Sequence, residues 1–257
     1  MLRHRIIPVV LIDGFSVLKT IQFDVRRNLG SPVTVARTYN TRNVDELILL
    51  DIDASKQNRS IDKFTIMDIA SELFMPLTVG GGIKTVEDIQ TALKMGADKV
   101  SLNSEALKNP SLISEGSRVF GRQCIVVSID IKKDGNEYKI YSHDLKKIIN
   151  IDPFEWAVKA QQMGAGELLI NSVDNDGVMG GPDLELLEKF RHLVTIPIIA
   201  QGGIARPQDC VDMIHAGASA IAAASIFHFT GFTPDDCKQE IHKSGLPARL
   251  SLIQKLK

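Results

Sequence analysis

Residues 79–106, VGGGIKTVEDIQTALKMGADKVSLNSEA, lie over residues 200–227, AQGGIARPQDCVDMIHAGASAIAAASIF, without a gap. The offset is constant: Gly81 falls on Gly202, Gly96 on Gly217 and Ser104 on Ser225, each 121 positions on. Outside these segments the same offset takes Glu46 to Glu167 and Asp53 to Asp174. Each copy is an apolar run, a glycine turn, an amphipathic stretch closed by glycine and a second apolar run, which is the pattern of a βαβ unit. Repetition at that distance reads as two half-barrels, about residues 1–120 and 121–245, of four βα units each.

Working outward, eight apolar runs are found: Arg5–Ile12, Glu46–Ile52, Pro76–Val79, Lys99–Leu102, Cys124–Asp130, Glu167–Ser172, Ile196–Ala200 and Ala220–Ala224. Helical periodicity is expected over Pro32–Asn43, Ile61–Leu73, Thr85–Met95, Asn109–Phe120, Pro153–Met163, Asp183–His192, Pro207–His215 and Pro234–Lys243. Runs that are apolar throughout, rather than alternating, are buried on both faces. Eight βα units close into a (β/α)8 barrel, and an open doubly wound sheet is the competing arrangement. A polar stretch, Lys132–Asn150, interrupts the fifth unit and reads as an inserted hairpin. No linker divides the chain, so residues 1–257 are expected to form one α/β domain.

Composition narrows the function. With 44% hydrophobic and 24% charged residues among 257, the chain is globular rather than disordered or fibrous. A net charge of -1, from 30 basic and 31 acidic residues, argues against a nucleic-acid partner, which needs a basic face. No apolar run approaches the roughly 20 residues of a membrane span, so no membrane partner is expected. The start, MLRHRII, lacks a secretory pattern, and the three cysteines, Cys124, Cys210 and Cys237, have no metal-binding spacing. A cytoplasmic protein without metal or cofactor is expected.

In such a barrel chemistry belongs where strands end. The loops GGGI (Gly80–Ile83) and QGGI (Gln201–Ile204) each follow a strand and lead into a helix, offering bare backbone N–H groups to a phosphate. As a related pair they predict two phosphate sites, although turns alone also need glycine. Asp51, Asp53, Asp130, Asp174 and Asp176 stand at strand ends, as general acids or bases, hydroxyl ligands or helix caps. Lys19 could neutralise a substrate anion or lie in a solvated loop. Placing Ile6 on Ile125 puts Leu11 where the second half has Asp130, so an acid/base pair across the mouth has lost one partner. Asp13, its neighbour, could swing in, but Asp13-Gly14 also reads as a simple turn. At the other end Arg5, Glu46, Lys99 and Glu167 begin strands. They read as a ring of ion pairs, either stabilising the base or gating passage along the axis.

The segments RIIP, YNTRNVDELILLDIDAS, FMPLTVGGGI, GADKVSLNSEAL, GRQCIVVSID, GAGELLINSVDNDG and AASIFHF together resemble the cyclase subunit of imidazole glycerol phosphate synthase, the HisF family, over at least Arg3 to Phe229. The resemblance implies a lyase barrel docked at its base on a HisH-like glutaminase, whose ammonia travels through the barrel to a bisphosphorylated ribulosyl formimino carboxamide ribonucleotide. It implies catalysis by Asp130 with Asp176 and Lys19 at the mouth, and substrate contact from Asp51. Phosphate is assigned to Gly82, Asn103 and Ser104 at one site and to Gly177, Gly203 and Ser225 at the other. The gate matches at Arg5, Glu46, Lys99 and Glu167, with Asp98 and Gln123 on the glutaminase-facing side. Three mouth positions depart: Leu11 stands for the family's first-strand aspartate, Asn171 for a threonine and Gln201 for a serine.

A kept base and an altered mouth favour a paralogous branch, in which ammonia amidates or acetamidinates a sugar of a surface polysaccharide. Partners would then be the glutaminase, a sugar amidotransferase and a phosphorylated small molecule or sugar nucleotide. The alternative is a true cyclase of histidine biosynthesis. A monomeric isomerase of the sister bisphosphate-barrel family would not need the ring at the base.

Overall fold

The computed structural model describes residues 3–14 and 16–250, so the ends of the expected 1–257 domain lie outside the described residues. Twelve strands are present among them: β1 (Arg5–Ile12), β2 (Val17–Ile21), β3 (Val25–Gly30), β4 (Leu47–Asp51), β5 (Leu77–Gly80), β6 (Lys99–Leu102), β7 (Ile125–Asp134), β8 (Glu137–Ser142), β9 (Lys147–Ile149), β10 (Glu167–Ser172), β11 (Ile198–Gln201) and β12 (Ala220–Ala223). Eight of these, in the order β1-β4-β5-β6-β7-β10-β11-β12, pair in parallel, and β12 returns to β1 to close a (β/α)8 barrel. Closure leaves no strand edge in the barrel unpaired and rules out the open-sheet alternative.

Side chains alternate across the barrel wall. Ile7, Val9 and Leu11 of β1 point inward with Ile48, Val126, Leu169, Ile199 and Ala222, forming an interior cluster. Ile6, Val10 and Ile12 point outward into the larger core shared with the helices. Burying each such aliphatic side chain contributes about 1.5–3 kcal/mol, which is why the strands are apolar on both faces.

Pro76 and Pro197 have no N–H for the ladder, so β5 and β11 begin one residue after them, and their carbonyls accept from Leu47 N (2.9 Å) and Leu168 N (3.0 Å) instead. The run expected from Ile196 therefore becomes a strand only from Ile198. The helices Pro207–His215 and Pro234–Lys243 have the expected bounds, and the other six are shorter than the periodicity suggests because several outer residues are caps. Asp62 accepts from Thr65 N at 2.8 Å and starts the helix Lys63–Glu72, and Thr85 shares a capping box with Asp88. Asn43, expected inside the first helix, has φ 52°, so the helix ends at Asn40.

Two additions decorate the mouth. The insertion after the fifth barrel strand is a three-stranded antiparallel ribbon, β7-β8-β9, rather than a plain hairpin. The hairpin β2–β3 was not anticipated. Its turn uses Gln22 (φ 49°) and Phe23 (φ 65°), without the glycine that usually marks such a turn.

The register of the second half repeats that of the first. Around one level, Leu11, Leu50, Gly80 and Ser101 are successive partners across β1, β4, β5 and β6. Asp130, Asn171, Gln201 and Ala222 occupy the corresponding places in β7, β10, β11 and β12.

Candidate active site at the barrel mouth

Loops after parallel strands all open at one end of a barrel. Here that end holds a solvent-open cavity of roughly 900 Å³ and beside it a smaller one of about 280 Å³, with Asp176 and Gln201 in both walls. Asp130 stands in the larger cavity and is 5% exposed. Asn103 Nδ2 donates to its Oδ2 at 2.8 Å and Asn171 Nδ2 to its Oδ1 at 3.3 Å. Burial raises its pKa to about 6 against the pull of these two amides, and Asp176 and Asp144 push it further the same way. A carboxyl poised there can both take and return a proton near neutral pH.

Lys19 is not in a solvated loop. It lies in β2, 3% exposed, with Nζ 3.3 Å from Asp176 Oδ1. Thr20 Oγ1 donates to the other oxygen at 3.3 Å, and Gln22 N donates to the Asp176 carbonyl at 2.8 Å. The hairpin of the first half is thus strapped onto the loop after β10. Asp51 lines the cavity with its carboxylate already engaged. Arg59 donates to it at 2.5 and 3.1 Å, and the backbone N–H groups of Asp53 and Ala54 at 3.2 and 3.0 Å. Asp53 is taken up by Arg26 at 2.5 Å, and Asp174 accepts from Lys133 N at 2.9 Å.

The expected phosphate residues divide between the cavities. Gly82, Asn103 and Ser104 line the larger, and Gly177, Gly203 and Ser225 the smaller. Gly82 and Gly203 each have positive φ, 67° and 85°, and a Cβ on them would come 1.9 and 2.1 Å from the carbonyl oxygens of Arg59 and Gly181. Only glycine fits, so both loops keep their backbone bare. Ser225 Oγ is among the few buried side-chain polar atoms without a partner in the described residues, as are Asn171 Oδ1 and Gln201 Oε1. Three of the four such atoms are therefore at this mouth.

At the opposite end the four charges form a closed ring. Arg5 contacts Glu46 (2.8 Å) and Glu167 (2.9 Å), and Lys99 contacts the same two carboxylates at 2.9 and 3.1 Å. Thr78 Oγ1 adds a 2.6 Å bond to Glu46, which is only 2% exposed. Asp98 and Gln123 are exposed nearby. Asp98 Oδ2 accepts from Leu77 N at 2.8 Å and Gln123 Nε2 donates to Phe120 O at 3.2 Å.

Sequence reasoning missed Arg59, Thr20, Thr78 and an aromatic contact in which Phe23 meets His143 and Tyr141 at ring-centroid distances of 5.4 and 6.1 Å. Thr78 acts on a residue 32 positions away, and Arg59, only eight positions from Asp51, reaches it from a loop whose path no local pattern marks. His143, in SHDLKK, could have been noticed as the one histidine of the insertion. Burial lowers its pKa, and Nε2 lies 3.2 Å from Ile52 O. Among the described residues no cluster of three or more His, Cys, Asp or Glu has metal-binding geometry, and no helix is long and apolar enough to cross a membrane.

The family model described as "Histidine biosynthesis protein" matches residues 5–233. Among curated relatives, "Putative imidazole glycerol phosphate synthase subunit hisF2" of Campylobacter jejuni is 48% identical over 250 residues, covering 97% of this chain and all of the relative. Imidazole glycerol phosphate synthase subunit HisF of Petrotoga mobilis is 45% identical over 252 residues, 97% of this chain and all of that protein. The HisF subunit of Dehalococcoides mccartyi is 43% identical over 251 residues, 97% of this chain and 99% of its own.

Proposed function

From the premise that the chain belongs to the histidine biosynthesis family, and within it to the HisF subunits of imidazole glycerol phosphate synthase, we propose that it is a glutaminase-fed barrel whose ammonia modifies a sugar destined for a surface polysaccharide. In this reading a HisH-like glutaminase docks at the base, on the side of Asp98 and Gln123. Ammonia passes the Arg5/Glu46/Lys99/Glu167 ring as a neutral molecule, since an ion would be held by one pair of the ring and repelled by the other. It emerges below Asp130, where an acceptor is held by phosphate contacts at the two glycine loops. The acceptor is a phosphorylated sugar or sugar nucleotide whose carboxyl or N-acetyl carbonyl oxygen, activated by the sugar amidotransferase partner, leaves with its activating group as the nitrogen of ammonia takes its place, giving an amide or an acetamidino group.

One observation carries the preference for this branch. Leu11, in register with Leu50, occupies the place that Asp130, in register with Asn171, holds in the second half. Ring closure needs protons moved on two sides of the substrate, and a leucine neither donates nor accepts one. Losing one such group costs roughly 10²- to 10⁴-fold in rate. The alternative, a working cyclase of histidine biosynthesis, is supported by the retained Asp130, buried and poised at about 6, and by 43–45% identity to HisF subunits.

The discriminating experiment supplies the purified protein with ammonia at high pH and the bisphosphorylated histidine-pathway substrate. A rate at least about 10²-fold below that of an ordinary cyclase is expected. A comparable rate, or rescue of a cyclase-deficient strain, would overturn the polysaccharide reading and leave the cyclase. Docking is tested separately by size exclusion with a HisH-like glutaminase. Absence of a complex would remove the partner.

A further inference from the structure

Two side-chain acceptors on the polar arc of the mouth take no donor from the described residues. Asp130, Asn171 and Gln201 are successive in-register partners on β7, β10 and β11, 5%, 6% and 9% exposed. Asn171 Nδ2 donates to Asp130. A carboxylate only accepts, so this contact fixes which way the Asn171 amide faces and leaves Oδ1 turned from Asp130. That oxygen and Gln201 Oε1 have no hydrogen-bond partner among the described residues. Buried acceptors are normally paired, and two on adjacent strands mark a place where donors come from outside.

Charge narrows the donor. Lys19 is already paired with Asp176, and no lysine, arginine or histidine among the described residues forms an ion pair with Asp130. An anion at this spot would face a carboxylate and two carbonyl oxygens. Across the barrel, Leu11 on β1 and Leu50 on β4 line the same cavity and offer neither donor nor acceptor.

We infer that Asp130, Asn171 and Gln201 form a subsite for a nitrogen cation bearing several N–H donors, a primary ammonium or an amidinium, with Leu11 and Leu50 receiving its hydrocarbon side. Two carbonyl oxygens and a carboxylate satisfy three N–H bonds of such a group, and the apolar wall keeps competing water away. The inference rests on reading this mouth as the acceptor's site and names the part of the acceptor that binds deepest. Burial of Asp130 agrees with it, because an arriving cation restores the stabilisation its carboxylate lost on leaving water.

The full chain is titrated at pH 8 with acetamidinium, methylammonium, tetramethylammonium and acetamide, read by calorimetry and by the methyl resonances of Leu11 and Leu50. Acetamidinium and methylammonium are expected to saturate and shift both leucines. Tetramethylammonium, charged but without donors, and acetamide, neutral, should bind at least about tenfold more weakly. Asn171→Leu and Gln201→Met, which remove the acceptors at similar volume, should weaken acetamidinium about tenfold or more. Asn171→Val serves where Asn171→Leu does not fold. Unchanged affinity in folded variants, equal binding of tetramethylammonium or acetamide, or no saturable binding to the native chain overturns the subsite. Inorganic phosphate is titrated in parallel. Loss of phosphate binding with acetamidinium retained would remove the two-phosphate reading and leave this one standing.

Discussion

The two halves of the barrel agree where backbone is decided and disagree where chemistry is. Pro76 and Pro197 immediately precede corresponding strands, Gly82 and Gly203 pass similarly close to a neighbouring carbonyl, and Glu46 and Glu167 sit in one ring at the base. At the mouth the same register carries Leu11, Leu50 and Gly80 on one side and Asp130, Asn171 and Gln201 on the other. A barrel tolerates this because the inward layer at its open end faces a cavity rather than further packed side chains. Changing polarity there costs little packing, whereas a side chain on Gly82 or Gly203 would collide with main chain. The scaffold is symmetric and the reactive surface is not.

The sharpest test of that asymmetry is Asp130→Asn, which keeps shape and removes the proton carrier. Ammonia-dependent product formation should fall about 10²- to 10⁴-fold. A fall below tenfold would mean the second half carries no more chemistry than the first. The glycines should behave as twins. Gly82→Ala and Gly203→Ala are each expected to lose about 2–4 kcal/mol in denaturant unfolding, from strain at positive φ and backbone collision. A difference much beyond 1.4 kcal/mol, about tenfold in the folding equilibrium, would break the equivalence of the loops. The ring glutamates should differ: Glu46 is 2% exposed and also accepts from Thr78, while the Glu167 side chain is 13% exposed. Glu46→Ala is expected to cost about 2 kcal/mol and Glu167→Ala about 1, discounted because Arg5 and Lys99 keep access to water.

The smallest expected effect is on pH dependence. If Asp130 works as a base its deprotonated form is needed. With a pKa of about 6, the rate should be flat above neutrality and fall toward tenfold per unit below about pH 6. Asp176 and Asp144 are the charges acting on it, and neutralising Asp176 should move the midpoint down. A profile with its midpoint near 4 would show that burial does not govern this carboxyl.

Much of this was legible from periodicity and repetition. β1, β6 and β10 have the bounds that their apolar runs suggest, and the offset of 121 aligned the ring glutamates and glycine loops before any geometry was known. What stayed hidden depended on turn conformations and side-chain pairings that residue type alone does not specify. The β2–β3 hairpin turns on two non-glycine residues in left-handed conformation, so its sequence carries no turn signature and leaves Lys19 open to a solvated loop as well as to an anion at the mouth. Asp51 reads as a free strand-end carboxylate until Arg59 is seen closing on it. Thr78 is one more β-branched residue in a buried strand until its hydroxyl is found against Glu46. Residue type and spacing report the local backbone, and the pairing of charges is decided by the closed barrel.

The strap between Lys19 and Asp176 crosses from one half to the other, and so do the contacts of Arg5 and Lys99 with Glu167. Were the chain cut between them, the first fragment would present Arg5, Lys19 and Lys99 against Glu46 alone, and the second would present Glu167 and Asp176. Each fragment would repel a copy of itself across the seam and attract the other. The arrangement that binds the halves within one chain thus also encodes a preference for unlike over like, so co-expressed fragments should assemble as a heterodimer before either pairs with itself.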